Sequence, residues 1–323
     1  MSVFAPAIPY AYLISGFAVL YFGAEWLVGA SARLAVRFGV KPLLVGVTIV
    51  AMGTSAPEFV VSVMAAHNGI ESIAIGNVVG SNICNTALVL GLSALICPIL
   101  VSRQFFKFDI PVLIGASFLG WYFLRDGSIQ RWEGIVILAL FAGYMAYNIA
   151  NAKIGGGDDD VNEVVGDGKK ISVVKNTLLV LLGLGMLMGG ANLLVKGSVE
   201  IATSFGMSKA VIGLTIVAFG TSLPELATSV VAAVRKHNDI AIGNVVGSNL
   251  FNILCILGVV GAMGADGDND ARGVKFIDLM FMSLINFVLL MPLITKNVLN
   301  RWIGGLLTGS YAAYILMLAF HIF

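Results

Sequence analysis

The chain has 323 residues, of which 58% are hydrophobic and 11% charged, with a net charge of +1 and a mean hydropathy of +0.95. A soluble domain carries about 25% charged residues, so this composition excludes a globule coated in water. The near-zero charge, with no basic stripe, gives no reason to expect a nucleic-acid partner. Cys84, Cys97 and Cys255 fall in apolar segments, at spacings that suit neither a zinc site nor a disulfide framework, and read as buried reduced thiols.

In chain order, the N-terminal MSVFAPAIPYAYLISG has no basic n-region, so its apolar stretch reads as a true span and not a cleaved signal. Runs long enough to cross about 30 Å of hydrocarbon predict ten spans. These lie near 8–30, 42–66, 72–99, 106–124, 131–150, 173–196, 208–234, 239–263, 274–294 and 300–322. The expected fold is an all-α polytopic membrane protein. Its halves, 1–150 and 173–323, are joined by a solvated acidic linker over 151–172 that contains GGGDDDVNEVVGDGKK. With both termini outside, thirteen Lys and Arg fall on the inner side and six on the outer. The positive-inside rule therefore predicts a multi-pass protein of the cell (inner) membrane with a cytoplasmic linker.

The halves repeat one another. GVTIVAMGTSAPEFVVSVMAA (46–66) matches GLTIVAFGTSLPELATSVVAA (213–233), and IAIGNVVGSNICN (73–85) matches IAIGNVVGSNLFN (240–252), always at an offset of 167 residues. Over 46–91 against 213–258, 27 of 46 positions are identical. Five spans per half is an odd number, so the second copy enters the membrane with opposite polarity. This is the inverted-repeat plan of secondary transporters, which place their ion site near the midplane between the repeats.

Each repeat sets G-T-S-x-P-E inside an apolar span: Gly53 to Glu58, and Gly220 to Glu225. A carboxylate at the centre of a membrane helix costs about 2.5–3.5 kcal/mol on insertion scales, and a bound cation offsets that cost. Two carboxylates match one divalent ion. Pro57 and Pro224 free the carbonyls of Gly53 and Gly220 and bend the helix there, with Ala51 and Ala218 close by. Thr54, Glu58 and Ser62 recur every fourth residue on one predicted helix face, as do Thr221, Glu225 and Ser229. The next spans cluster Ser81, Asn82 and Asn85, and Ser248, Asn249 and Asn252. Asn85 and Asn252 fit ligands; Asn82 and Asn249 fit either ligand-orienting groups or interhelical hydrogen bonds. An all-oxygen set favours a hard cation such as Ca2+ or Na+ over zinc or copper. A dry site suits Ca2+ better than Mg2+, which sheds water reluctantly.

These two segments resemble the paired repeats of the sodium/calcium exchanger family, within the calcium/cation antiporters. The resemblance implies antiport of Ca2+ against Na+ by alternating access, with these transported ions and the lipid bilayer as partners, no cofactor and no required oligomer. It implies Glu58 and Glu225 as ligands shared by Ca2+ and Na+. It further implies hydroxyls or carbonyls from Thr54, Ser55, Thr221 and Ser222, and the carbonyls of Ala51 and Ala218. Ser81 and Ser248 would line flanking Na+ positions, with Asn85 and Asn252 at the centre. Many relatives have Asp where Asn252 stands, so this site carries a formal charge of −2, which leaves H+ or K+ open as the coupling ion. The linker is too short for a calcium-sensing domain. Spans 1 and 6 are expected to lack central charges and to slide against the site-bearing core.

An enzyme is not expected. His67 and His237 sit at span ends and His321 near the C-terminus, and no nucleophile–base spacing stands out. The sequence Asp266-Gly-Asp268-Asn-Asp270 opens like an EF-hand loop but lacks the later Gly and Glu, and reads as a solvated acidic loop.

Overall fold

A computed structural model describes residues 8–152, 171–205, 218–264 and 274–319. The protein is built almost wholly from helices. In chain order these are α1 (Ile8–Phe38), α2 (Pro42–Thr54), α3 (Ala56–His67), α4 (Glu71–Ile96), α5 (Phe105–Asp126), α6 (Arg131–Ala150), α7 (Val173–Ser204), α8 (Ala218–Thr221), α9 (Leu223–Val234), α10 (Asn238–Met263), α11 (Phe276–Leu293) and α12 (Arg301–Ala319). A single antiparallel pairing, Ile99 with Leu299 and Leu100 with Val298, clips the end of α4 to the start of α12.

Seven of these helices are long and apolar enough to cross a membrane, and the bent pair α2–α3 makes an eighth. Residues 208–217 of the expected span 208–234 lie outside the described residues, and α8 and α9 make up the rest. The expected last span is α12, of 19 residues. The acidic linker and the EF-hand-like Asp266–Asp270 also lie outside the described residues. The first and sixth spans run further than expected, to Phe38 and Ser204. Nothing in those stretches breaks a helix, and α1 ends only where Gly39 takes a left-handed φ of +63°.

α4 and α10 form the centre. Buried residues make up 72% and 83% of their apolar stretches, against 28–44% for the other long helices. Around them α5, α6, α11 and α12 present apolar side chains outward, Trp302 at 88% exposure among them, as lipid-facing surfaces do. Small residues set the closest approaches. A Cβ on Gly134 of α6 would fall 2.7 Å from Gly258 O of α10, and one on Gly304 of α12 would fall 2.8 Å from Gly91 O of α4. Gly91 and Gly258 are repeat partners, so each half lends its last helix to the central helix of the other.

A second seam joins α1 to α7. A Cβ on Gly183 would sit 2.8 Å from Gly23 O, and one on Gly16 would sit 3.0 Å from Gly190 O. The residues themselves obey the 167 offset: 16 with 183, and 23 with 190. Backbone-to-backbone contact of this kind makes α1 and α7 one stiff pair. The pair is not free of charge, as the sequence suggested. Glu25 lies midway along α1 and forms an ion pair with Arg235, just past the end of α9. Arg33 Nε also donates to Asn176 Oδ1 of α7 at 2.7 Å.

The cysteines are all free, but only Cys84 is buried; Cys97 and Cys255 are half-exposed. The reading of three buried thiols is corrected to one. Cys97 lies just past the end of α4 and Cys255 in the π-helical stretch of α10, each packed on one side against the core.

Candidate functional site

The site grows from two helix breaks. Pro57 has no N–H to continue the helix, and the chain bends by 51° between α2 and α3, with Ser55 (φ −84°, ψ 10°) at the corner. Ser222 (φ −87°, ψ 3°) takes the same conformation between α8 and α9. Thr54 and Glu58 therefore do not share one continuous helix face, and the four-residue pattern assumed one helix where there are two. Beyond each break the glutamate sits in the first turn of the new helix. There the unpaired N–H groups of a helix N-terminus favour negative charge.

Both carboxyls are buried, Glu58 at 1% exposure and Glu225 at 0%, and they lie within electrostatic reach of one another. Ser55 Oγ of the first half donates to Glu225 Oε1 of the second at 2.9 Å. Thr221 lies beside Glu58 in the reverse sense. Thr54 Oγ1 is 3.1 Å from Asn244 Oδ1 and 3.2 Å from Ala51 O. The Ala51 carbonyl also accepts from Ser55 N–H at 3.0 Å, and Ser248 Oγ reaches it at 3.5 Å. Any cation at that carbonyl competes with these donors. Ala218 lies in the single turn of α8.

Asn85 and Asn252 sit in π-helical stretches, Cys84–Val89 of α4 and Phe251–Ile256 of α10, again offset by 167 residues. One extra residue per turn frees carbonyls and rotates a side chain inward, and such bulges are frequent at functional sites. The stretches cross over: that of Asn252 packs on α3, which bears Glu58, and that of Asn85 packs on α9, which bears Glu225. Cys84, beside Asn85, lies against Ser222 and within reach of both carboxyls. Ser81 and Ser248 are buried one turn earlier on the same helices. Asn82 Nδ2 donates back to Val78 O of its own helix at 2.7 Å, whereas Asn249 Nδ2 crosses to Thr86 Oγ1 at 2.6 Å. Only the second is the interhelical bond the sequence allowed.

Six buried oxygens here have no hydrogen-bond partner among the described residues: Glu58 Oε1 and Oε2, Glu225 Oε2, Ser222 Oγ, Asn85 Oδ1 and Asn252 Oδ1. The amide nitrogens of Asn85 and Asn252 are unpaired as well, although buried polar groups are nearly always paired. The oxygens of this set suit a cation, and six to eight oxygens is the appetite of Ca2+. Among the described residues no three His, Cys, Asp or Glu come together as a metal group. A cation here therefore relies on two carboxylates supplemented by amides and hydroxyls.

Sequence reasoning missed Asn77 and Asn244. Asn77 Nδ2 holds Ser62 Oγ at 2.9 Å and Glu58 O at 3.1 Å; Asn244 Nδ2 holds Ser229 Oγ at 2.9 Å and Glu225 O at 3.3 Å. These are matching clamps on the two glutamate helices, and both asparagines lie in the repeated GNVVG. Asn244 Oδ1 also accepts from Thr54 of the other half. Asn244→Ala and Asn77→Ala are each expected to weaken Ca2+ binding. Each change leaves buried partners unpaired, at about 1–3 kcal/mol. Calorimetric Ca2+ titration of the two variants in detergent checks the loss.

A fold of interlocked membrane helices around a buried acidic pair defines a secondary transporter of cations. The profile of the family described as "Sodium/calcium exchanger protein" matches residues 8–150 and 175–320, and the chain belongs to that family. It is similar to a putative antiporter, CaxA, of Alkalimonas amylolytica, at 38% identity over 94% of this chain and 96% of that one. It is similar also to the sodium/calcium exchanger MaX1 of Methanosarcina acetivorans, at 30% identity over 95% and 97%. A solved structure of the sodium-calcium exchanger NCX_Mj, soaked with zero Na+ and Ca2+, superposes with a TM-score of 0.82. That match has 34% identity and covers 97% of this chain and 99% of that one.

Proposed function

We propose that this chain exchanges Ca2+ for Na+ across the cell membrane by alternating access, with Glu58 and Glu225 as ligands that both ions share. The observation that carries the reading is the buried pair itself: one carboxylate from each half, three of the four oxygens without a hydrogen-bond partner among the described residues. Asn85, Asn252, Ser222 and Thr221 complete the central position. Thr54, Ser55, Ser81, Ser248 and the carbonyls of Ala51 and Ala218 serve the flanking ones. Ten spans as two inverted repeats, termini outside and linker inside, is the topology that places this site at mid-membrane. The repeat-related contacts of Gly134 with Gly258 and of Gly304 with Gly91 support it.

Coupling follows from charge. Two carboxylates cannot satisfy Ca2+ and a full set of Na+ together, so the ions compete. An empty site leaves two unpaired charges in a low dielectric, which opposes its crossing unloaded. The stiff α1–α7 pair is the element that slides over the core, and the Glu25–Arg235 ion pair bridges the moving and static parts.

Purified protein in proteoliposomes tests the reading. An outward Na+ gradient is expected to drive Ca2+ uptake, while a K+ gradient or a pH gradient alone is not. Uptake driven by either of the latter without Na+ would replace the coupling ion by K+ or H+.

A further inference from the structure

The two halves differ in the partners of a buried asparagine pair, Asn82 and Asn249. In the second half Asn249 Nδ2 donates to Thr86 Oγ1 (2.6 Å), Thr86 Oγ1 donates to Asn286 Oδ1 (2.9 Å), Asn286 Nδ2 donates to Ser117 Oγ (2.9 Å), and Ser117 Oγ donates to Leu113 O (2.8 Å). All four side chains are fully buried. The chain starts on α10, crosses α4 and α11, and ends on the backbone of α5. Each hydroxyl has one proton, and each is committed outward. The polarity of the relay is therefore fixed: Asn249 can only donate into it. Its carbonyl oxygen, Oδ1, is left buried with no partner among the described residues.

The repeat shows what happens without Thr86. Its counterpart, 167 residues on, is Ile253, which offers no acceptor. The repeat partner of Asn249, Asn82, turns its Nδ2 back onto Val78 O of its own helix, and its Oδ1 too has no partner among the described residues, so the halves differ in what holds the amide nitrogen. Asn82 is thus held by the helix it sits on, whereas Asn249 is held from outside, by three other helices. Thr86 follows Asn85 directly, within the stretch of α4 that packs on α10. Asn249 itself adjoins Ser248 and lies one helical turn before Asn252.

We propose that Thr86 is a positioning residue: it turns the Asn249 amide so that Oδ1 faces the ion path as a ligand of the Na+ position next to Ser248. A neutral amide oxygen gives Na+ a share of its shell without adding charge, so it helps the monovalent ion more than it helps Ca2+, which draws on the two carboxylates. The inference rests on the proposed exchange reaction and on the site centred on Glu58 and Glu225. Remove the hydroxyl, and Asn249 has the option its counterpart takes: a bond to Val245 O, four residues back.

Thr86→Val keeps the shape and deletes the acceptor. In Na+-driven Ca2+ flux it is expected to raise the half-saturating Na+ concentration about three- to tenfold, the loss of one ligand-orienting hydrogen bond. The half-saturating Ca2+ concentration in Ca2+/Ca2+ exchange should rise at least threefold less. Thr86→Ser, which retains the hydroxyl, should restore the wild-type ratio. If Thr86→Val does not fold, Thr86→Ala removes the same group without branched bulk, and the same ratio is read. Equal changes in both ions, no change in either, or a Ser variant as poor as the Val variant would each overturn the positioning role. Such results leave the site itself standing so long as Glu225→Gln still abolishes flux. A wild-type protein with no Na+-driven flux defeats the exchange reading first.

Discussion

Glu58→Gln and Glu225→Gln are each expected to reduce Na+-driven Ca2+ uptake to the level of empty vesicles. Gln keeps the volume and the hydrogen-bonding oxygen and removes one negative charge. With one carboxylate left, the site no longer matches a divalent ion, and the same residue is missing for Na+ in the return step. Thermal unfolding should separate this loss of function from a loss of fold. Wild-type protein is expected to melt at higher temperature as Ca2+ rises, since a ligand that binds only the folded state stabilises it by mass action. Either Gln variant should lose that response. Its ion-free melting temperature should stay level or rise, because a buried charge without a partner is costly and Gln removes it. Full uptake in either variant contradicts the site assignment.

The second large effect is steric. Gly247 of α10 lies against α2: an added Cβ would fall 2.5 Å from Val47 Cα, 2.7 Å from Val47 O and 2.8 Å from Ala51 Cβ. Those are backbone atoms and a short side chain, so nothing flexible can give way. Gly247→Ala must push α2 off α10, at a cost of about 1–3 kcal/mol, as overpacking usually does. The shift falls where it harms function, because α2 carries Ala51 and Thr54 and ends at the corner before Glu58. Lower melting temperature and weaker Ca2+ binding are expected together. Gly143→Ala is the matched control. No described atom lies within 4 Å of its added Cβ, and Ala in a helix is favoured over Gly by about 0.5–1 kcal/mol. A Gly247 variant as stable as the Gly143 variant would remove the close contact from the account.

The proposed chemistry of this protein is already written in its amino-acid sequence. Apolar runs separated by short polar turns fix helices that cross a membrane, because backbone groups in hydrocarbon must be satisfied within the segment. The repeated G-T-S-x-P-E and G-N-V-V-G-S-N fix which residues are paired, because a glutamate kept twice in an apolar span needs a cation to offset its burial. The bends ahead of Pro57 and Pro224, and the hydroxyls of Ser55 and Thr221 beside the two glutamates, also lay close to the surface of the pattern.

Tertiary structure alone decided the rest, since contacts between distant segments leave no local trace. Nothing in the spacing says that α6 of the first half packs on α10 of the second, or that the Asn252 stretch lies on the Glu58 helix and the Asn85 stretch on the Glu225 helix. Asn77 and Asn244 were visible as repeated letters, but their work as clamps depends on the neighbour across the groove. The Asn249–Thr86–Asn286–Ser117 relay joins four helices, of which only α4 and α10 carry the quoted repeat motif, and it hinges on one mismatch in the repeat, Thr86 against Ile253. The physical reason is the same in each case. Helix and span formation are settled by a residue's near neighbours and the solvent, whereas a buried hydrogen bond is settled by whichever partner the packed core brings within about 3 Å.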